Sequence, residues 1–117
     1  MNIFVTSIAA MLMVLFLSTP VAQAMDGSDL LTGYNSYKLV KEGIATNTDA
    51  YQGGLFNGYV SGVFDSAVGI VLCVPGDVKN GQIQEVVGQF LETHPVSHQR
   101  SAVLLTTQAL MKAFPCK

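Results

Sequence analysis

The sequence predicts an all-α protein, a compact bundle of about four helices held by one disulfide. Three observations predict it. Apolar residues recur at spacings of three and four in four successive segments, and no segment makes a convincing strand. Breakers at Gly43, Pro75-Gly76-Asp77 and Pro95 separate those segments. The chain contains only two cysteines, Cys73 and Cys116, behind a segment laid out as an export signal. In an oxidising compartment the two are expected to be joined.

The N-terminal segment comes first. Residues 3–17 form an apolar run broken only by Thr6 and Ser7, followed by Thr19-Pro20 and a small-x-small cleavage site at Ala22-Gln23-Ala24. That is the order of parts in a secretory signal peptide, although no Lys or Arg precedes the run. The run is short for a membrane span; an uncleaved anchor is the alternative reading. Residues 1–24 are therefore expected to be a cleaved signal, and 25–117 one small helical domain. A Cys73–Cys116 bridge would close a loop of 43 residues. The chain-entropy argument gives such a loop about 4 kcal/mol of stabilisation, a large share for a small domain.

Ser28 can cap a first helix, roughly Asp29 to Lys41, with Leu30, Leu31, Tyr34, Tyr37 and Val40 at helical spacing. Gly43 ends it, and Thr46-Asn47-Thr48 reads as a polar link. Asp49 can cap a second helix, with Gln52 as its capping-box partner, running to about Leu72. This helix is apolar nearly all round, as a central helix should be. Gly54, Gly58, Gly62, Asp65 and Gly69 share one face. Each glycine costs about 1 kcal/mol of helix propensity relative to Ala. Close approach of another backbone, within the protomer or across a dimer, is the simplest compensation. Asn80 or a near neighbour caps a third helix, extending to about Thr93 on an Ile83-Val86-Val87-Phe90-Leu91 stripe, with Gln82, Glu85, Gln89 and Glu92 opposite. Ser97 caps a fourth to about Ala113, with Ala102, Leu105, Ala109 and Ala113 on one line and Val103, Leu110 and Phe114 beside it.

Composition narrows the function. Six basic and eight acidic residues give a net charge of −2, with no basic cluster to neutralise phosphates, so nucleic acid is not expected as a partner. No polybasic or strongly amphipathic segment points to a membrane surface once the signal is removed. No catalytic signature stands out. His94 and His98 have a metal-pair spacing, but Pro95 interrupts the helix they would need and no third histidine exists. Capping or solvated histidines in a surface turn are the better reading, and neither metal nor cofactor is expected. Asp65 reads as a buried, hydrogen-bonded structural carboxylate, since no second titratable partner is in view. Ser61 and Ser66 have no identifiable base. Gly58-Tyr59-Val60-Ser61-Gly62 imitates a nucleophile elbow only in letters, because the segment lies inside a helix.

From Phe56 onward one ordered set of residues stands out. Gly58-Tyr59-Val60-x-Gly62 is followed by Asp65, Leu72-Cys73-x-Pro75, Gly81-Gln82, Val86-Val87, Phe90-Leu91, His94-Pro95, Ala109-Leu110 and Phe114-Pro115-Cys116. This resembles the Rap/Tai family, immunity proteins against peptidoglycan amidases delivered by type VI secretion. Many members carry a cysteine two residues before the Gly-Tyr pair, with a partner nearer the N terminus. Here that position is Phe56, so one bridge of the family pattern is missing and the first helix is expected to be less firmly tied.

The resemblance implies a periplasmic binding protein that forms a homodimer, has no active site of its own and occludes the cleft of a cognate cysteine amidase. On this reading Gly58, Tyr59, Gly62 and Asp65 are structural. The expected contact surface is the Pro75–Gly81 connection and the polar face after it, Asp77, Lys79, Gln82, Glu85 and Gln89; the alternative is that this region is only solvated and the contacts come from the first and fourth helices. A turn projecting from a disulfide-anchored helix end is pre-organised for insertion. The rival readings are a small periplasmic acid-stress chaperone, which should be more highly charged than the 12% found here, and another helical protein-binding module.

Overall fold

The computed structural model describes Ile3, residues 24–95 and residues 98–117. The expected signal at 1–24 lies almost wholly outside the described residues, and so does the expected cap Ser97. The described chain is all helical: α1 (Gly27–Glu42), α2 (Asn47–Ala67), α3 (Asn80–Thr93) and α4 (Ala102–Ala113). Extended pairing among the described residues is confined to two isolated bridges, Asp26 with Ser101 and Val68 with Leu72. No helix among them is long and apolar enough to cross a membrane.

The caps fall slightly upstream of the expected ones. Asp26, not Ser28, caps α1: its carboxylate accepts from the Asp29 N–H at 3.0 Å, and Asp29 accepts from the Asp26 N–H at 3.2 Å. Thr46, not Asp49, caps α2, and Asp49 is its reciprocal partner: Thr46 Oγ1 accepts from the Asp49 N–H at 3.1 Å, and Asp49 accepts from the Thr46 N–H at 2.9 Å. A capping box silences two free N–H donors at once, which is why the helix begins there. α2 stops at Ala67, five residues short of the expected Leu72. The Ala67 carbonyl collects the N–H groups of Ile70, Val71 and Leu72 in a tight turn, and Gly69 takes a φ of 79°. The fourth helix begins at Ala102, because residues 98–102 are occupied elsewhere. The Gly27 and Ser28 N–H groups donate to the Arg100 and His98 carbonyls, and the Ala102 N–H donates to the Met25 carbonyl.

α1 and α2 form the most intimate helix pair. Their axes come together at Gly33 and Gly53: a Cβ on Gly33 would lie 2.8 Å from Phe56 Cβ, and one on Gly53 3.0 Å from the Tyr37 backbone. Phe56 fills the seam at 1% exposure, its ring 5.4 Å from that of Tyr34 and 5.6 Å from that of Tyr37. At Phe56, where the resemblance leads one to expect a cysteine, α1 is held by buried aromatic area. Val60, Leu72, Ile83, Val87, Leu91, Leu105 and Leu110 complete the core. The third-helix stripe is as expected, with Val86 and Phe90 at its partly buried edge.

The glycine row is a correction. Gly54, Gly58, Gly62 and Gly69 are exposed, and a Cβ on any of them would meet nothing within 4 Å. Asp65 on the same row is exposed too, not buried, and its carboxylate makes no hydrogen bond or ion pair among the described residues. At 100° per residue, Gly53, Phe56, Val60 and Ala67 share the core side, which leaves the Gly54–Gly58–Gly62–Asp65 row pointing away. Within the protomer the helix-propensity cost of those glycines has no compensating contact. Tyr59 is half-buried against the core, and its burial pushes the phenol pKa up.

Candidate partner-binding surface

The disulfide is formed. Cys73 and Cys116 are bonded with their Cα atoms 4.8 Å apart, and the Cys73 N–H donates to the Phe114 carbonyl at 3.0 Å. The bridge fixes the start of the α2–α3 connection to the far end of α4. From there the chain projects through Pro75 and Gly76 to Asp77 and Lys79, all exposed.

The five expected contact residues divide into four groups. The Asp77 and Lys79 side chains are exposed on the connection and have no hydrogen bond or ion pair among the described residues. Gln82 is exposed, but its Oε1 accepts from the Lys79 N–H at 2.9 Å and so caps α3. Glu85 is committed inside the molecule. Its carboxylate accepts from Tyr34 Oη at 2.9 Å and from Lys41 Nζ at 2.6 Å, both on α1. One turn or two further on, Lys38 and Glu92 pair at 2.5 Å, and the Lys38 ammonium stands 4.7 Å over the Tyr34 ring. These ties clamp α1 to α3, where the sequence had suggested a free polar stripe. Gln89 is exposed on the rim of a shallow depression between α3 and α4.

The clamp predicts a pH dependence. The hydrogen bond from Lys41, then that from Tyr34, holds the Glu85 carboxyl below its usual range, against the effect of burial. Hydrogen bonds from Thr46 do the same for Asp49. Tyr34 is pushed up by burial and by Glu85. A carboxyl with a depressed folded pKa adds stability above its unfolded value, and that stability is lost as pH falls through the folded value. The melting temperature should therefore hold from neutrality to the ordinary carboxylate range and drop below it. Glu85→Gln should flatten part of that drop and cost about 1 kcal/mol or less at pH 7, as suits a half-exposed pair. Melts of both proteins from pH 3 to pH 7 check this; parallel curves would exclude Glu85 as the titrating group.

A polar knot escaped the sequence reading. Gln84 is fully buried, and its Nε2 faces Asn57 Oδ1 at 2.6 Å, Ser61 Oγ at 3.1 Å and Asn80 Oδ1 at 3.2 Å. Asn80 Nδ2 also donates to Asn57 Oδ1 at 3.0 Å. The knot locks the start of α3 onto α2 and so sets the angle at which the connection projects. Ser61 is spent here on Asn57, Asn80 and Gln84 and touches no base, and Ser66 donates to the Val63 carbonyl. The two histidines close the other end of α3. His94 Nδ1 lies 2.8 Å from the Phe90 carbonyl and His98 Nε2 2.7 Å from the Leu91 carbonyl. A carbonyl only accepts, so each of these nitrogens donates; the Phe90 carbonyl also accepts from the Thr93 hydroxyl, and the Leu91 carbonyl from the His94 N–H.

The surface is thus one of projection and clamping, and the described residues include no group of three or more His, Cys, Asp or Glu that could hold a metal ion. No curated protein matches the chain. The family model for Rap1a immunity proteins matches residues 26–116, which span all four helices and both cysteines. This chain belongs to the Rap1a immunity protein family.

Proposed function

We propose that this protein is exported to the periplasm and neutralises a type VI secretion effector, a peptidoglycan amidase, by binding it and covering its catalytic cleft. The family carries the reading: its members are immunity proteins, and the match spans residues 26–116. The signal-like leader supplies the address. The disulfide-anchored connection, with Asp77 and Lys79 exposed beyond it, supplies a rigid feature suited to a cleft, since little ordering entropy is lost on docking. A homodimer built on the open Gly54–Gly58–Gly62 face would give those glycines the close backbone approach that the protomer does not.

The test is protection. The protein is co-expressed in the periplasm with a candidate type VI cysteine amidase from the same genome, and binding is measured by calorimetry. Protection from lysis together with a tight complex is expected. Unchanged lysis with no heat of binding would overturn the reading. Light scattering of the purified protein reads the oligomer, and Gly58→Leu should shift a dimer towards monomer.

A further inference from the structure

Two shallow depressions meet at one small residue. The first, about 390 Å³, lies between α3 and α4, floored by Val86, Phe90 and Ala109, with Gln89 and Lys112 on its rim and Ala113 at its end. The second, about 430 Å³, starts at the same Ala113 and runs over the disulfide between Val74-Pro75 and Phe114-Pro115, with Lys117 at its edge. Ala113 is exposed, and no described residue fills the saddle. Together they make one apolar track that begins at Gln89, crosses the last turn of α4 and ends at Pro75, where the projecting connection begins. Along α3 alone, from Val86 to His94, it is about 12 Å long, a little over two helical turns.

The charge of the track is one-sided. The charged side chains lining it are Lys112 and Lys117, and no Asp or Glu side chain lines either half. Lys112 has no ion-pair partner among the described residues. The acidic residues of α3 do not compensate it, because Glu85 and Glu92 are drawn to Lys41 and Lys38 on α1.

We infer that this track receives an acidic segment of the effector, one that lays apolar side chains along Phe90, Ala113 and Phe114 and places carboxylates against Lys112 and Lys117. The inference rests on the proposed function and goes further. It makes α4 and the disulfide floor the contact surface, continuous with the Pro75 connection, and it states the chemistry of the partner. A small residue at the saddle lets the segment lie flat, and a buried apolar contact ringed by charge has the anatomy of an interface. Charge of one sign steers a partner of the other and makes the association sensitive to salt.

The experiment uses the whole protein and the cysteine amidase that the protection test identifies as its partner. Affinity is measured for the wild type, for Ala113→Trp, which fills the saddle, and for the doubly reversed Lys112→Glu/Lys117→Glu. Melting temperatures monitor the fold. Both variants should bind about tenfold or more weakly, as substitutions at an interface centre do. Lys112→Arg/Lys117→Arg should bind within about twofold of wild type. If the tryptophan variant melts early, the charge reversal decides. Wild-type binding with an unaltered affinity in the charge-reversed protein overturns the track and leaves the immunity reading intact. Absence of binding by the wild type overturns both.

Discussion

Replacing Cys73 by serine is expected to lower the stability by about 4 kcal/mol, the loop-closure value for 43 residues. For a domain of this size that corresponds to a fall in Tm of roughly 15 to 30 °C. The structure shows why so little else would compensate. Beyond Leu72 the chain leaves the core, and one backbone hydrogen bond, Cys73 N–H to the Phe114 carbonyl, is the other described tie between the connection and the end of α4. Scanning calorimetry of the variant, and of wild type with and without a thiol reductant, measures the effect. Reduced wild type should match Cys73→Ser. A fall of less than about 5 °C in both would mean that packing alone holds the two chain segments together.

The second large effect separates glycines that look alike in the sequence. A Cβ on Gly88 would lie 2.1 Å from Cε2, 2.2 Å from Cζ and 2.4 Å from Cδ2 of the Tyr34 ring. That ring cannot step aside, because its hydroxyl is bonded to Glu85, Lys38 stands over it and Phe56 packs on its face. Gly88→Ala should therefore destabilise by about 1–3 kcal/mol through overpacking, although alanine is the better helix former. Gly58→Ala and Gly62→Ala enter open space and should each stabilise the protomer by about 0.5–1 kcal/mol. Urea midpoints of the three variants decide the matter. Opposite signs are expected; a stable Gly88→Ala protein would mean that Tyr34 repacks. If Gly58→Ala stabilises the protomer yet weakens an assembly, the open face serves an interface.

Much of the fold was legible because helical periodicity and breakers are local. The Ile83–Leu91 stripe, the start of α3 and the end of α4 are all written in spacings of three and four. The caps of α1 and α2 were legible in principle: Asp26-x-x-Asp29 and Thr46-x-x-Asp49 are both reciprocal pairs, and Gln52 drew attention to the wrong triplet. The end of α2 was not legible. Gly69, which takes the left-handed φ of that turn, follows three glycines at helical spacing that stay helical, so nothing local marked it as the breaker; the burial of Leu72 and the bond at Cys73 set the turn there. The start of α4 depends on residues 98–102 pairing with residues 25–28, a long-range event that no local pattern announces.

The site was legible in part for the same reason. Exposure of Asp77 and Lys79 follows from a Pro-Gly turn. The capture of Glu85 by Tyr34 and Lys41 and the burial of Gln84 against Asn57 require knowing which helices touch. The glycine row was legible in part: spacing reports a shared face and not its direction, and within the protomer that face points away from the core. Gly33 and Gly53, which do mark the close approach, carry no periodic signal.

The pairing of Met25, Gly27 and Ser28 with residues 98–102 decides where an affinity handle can be fused. It places the first residues of the domain beside the start of α4, about 16 Å along that helix from Ala113. A handle joined ahead of Met25 emerges at that end and leaves the α4 track uncovered. A handle joined after Lys117 emerges on its rim and hangs across the saddle. Pull-down baits and surface-immobilised sensors built from this protein should therefore be tethered by the first end, and a bait tethered by the second should capture its partner poorly however well it folds.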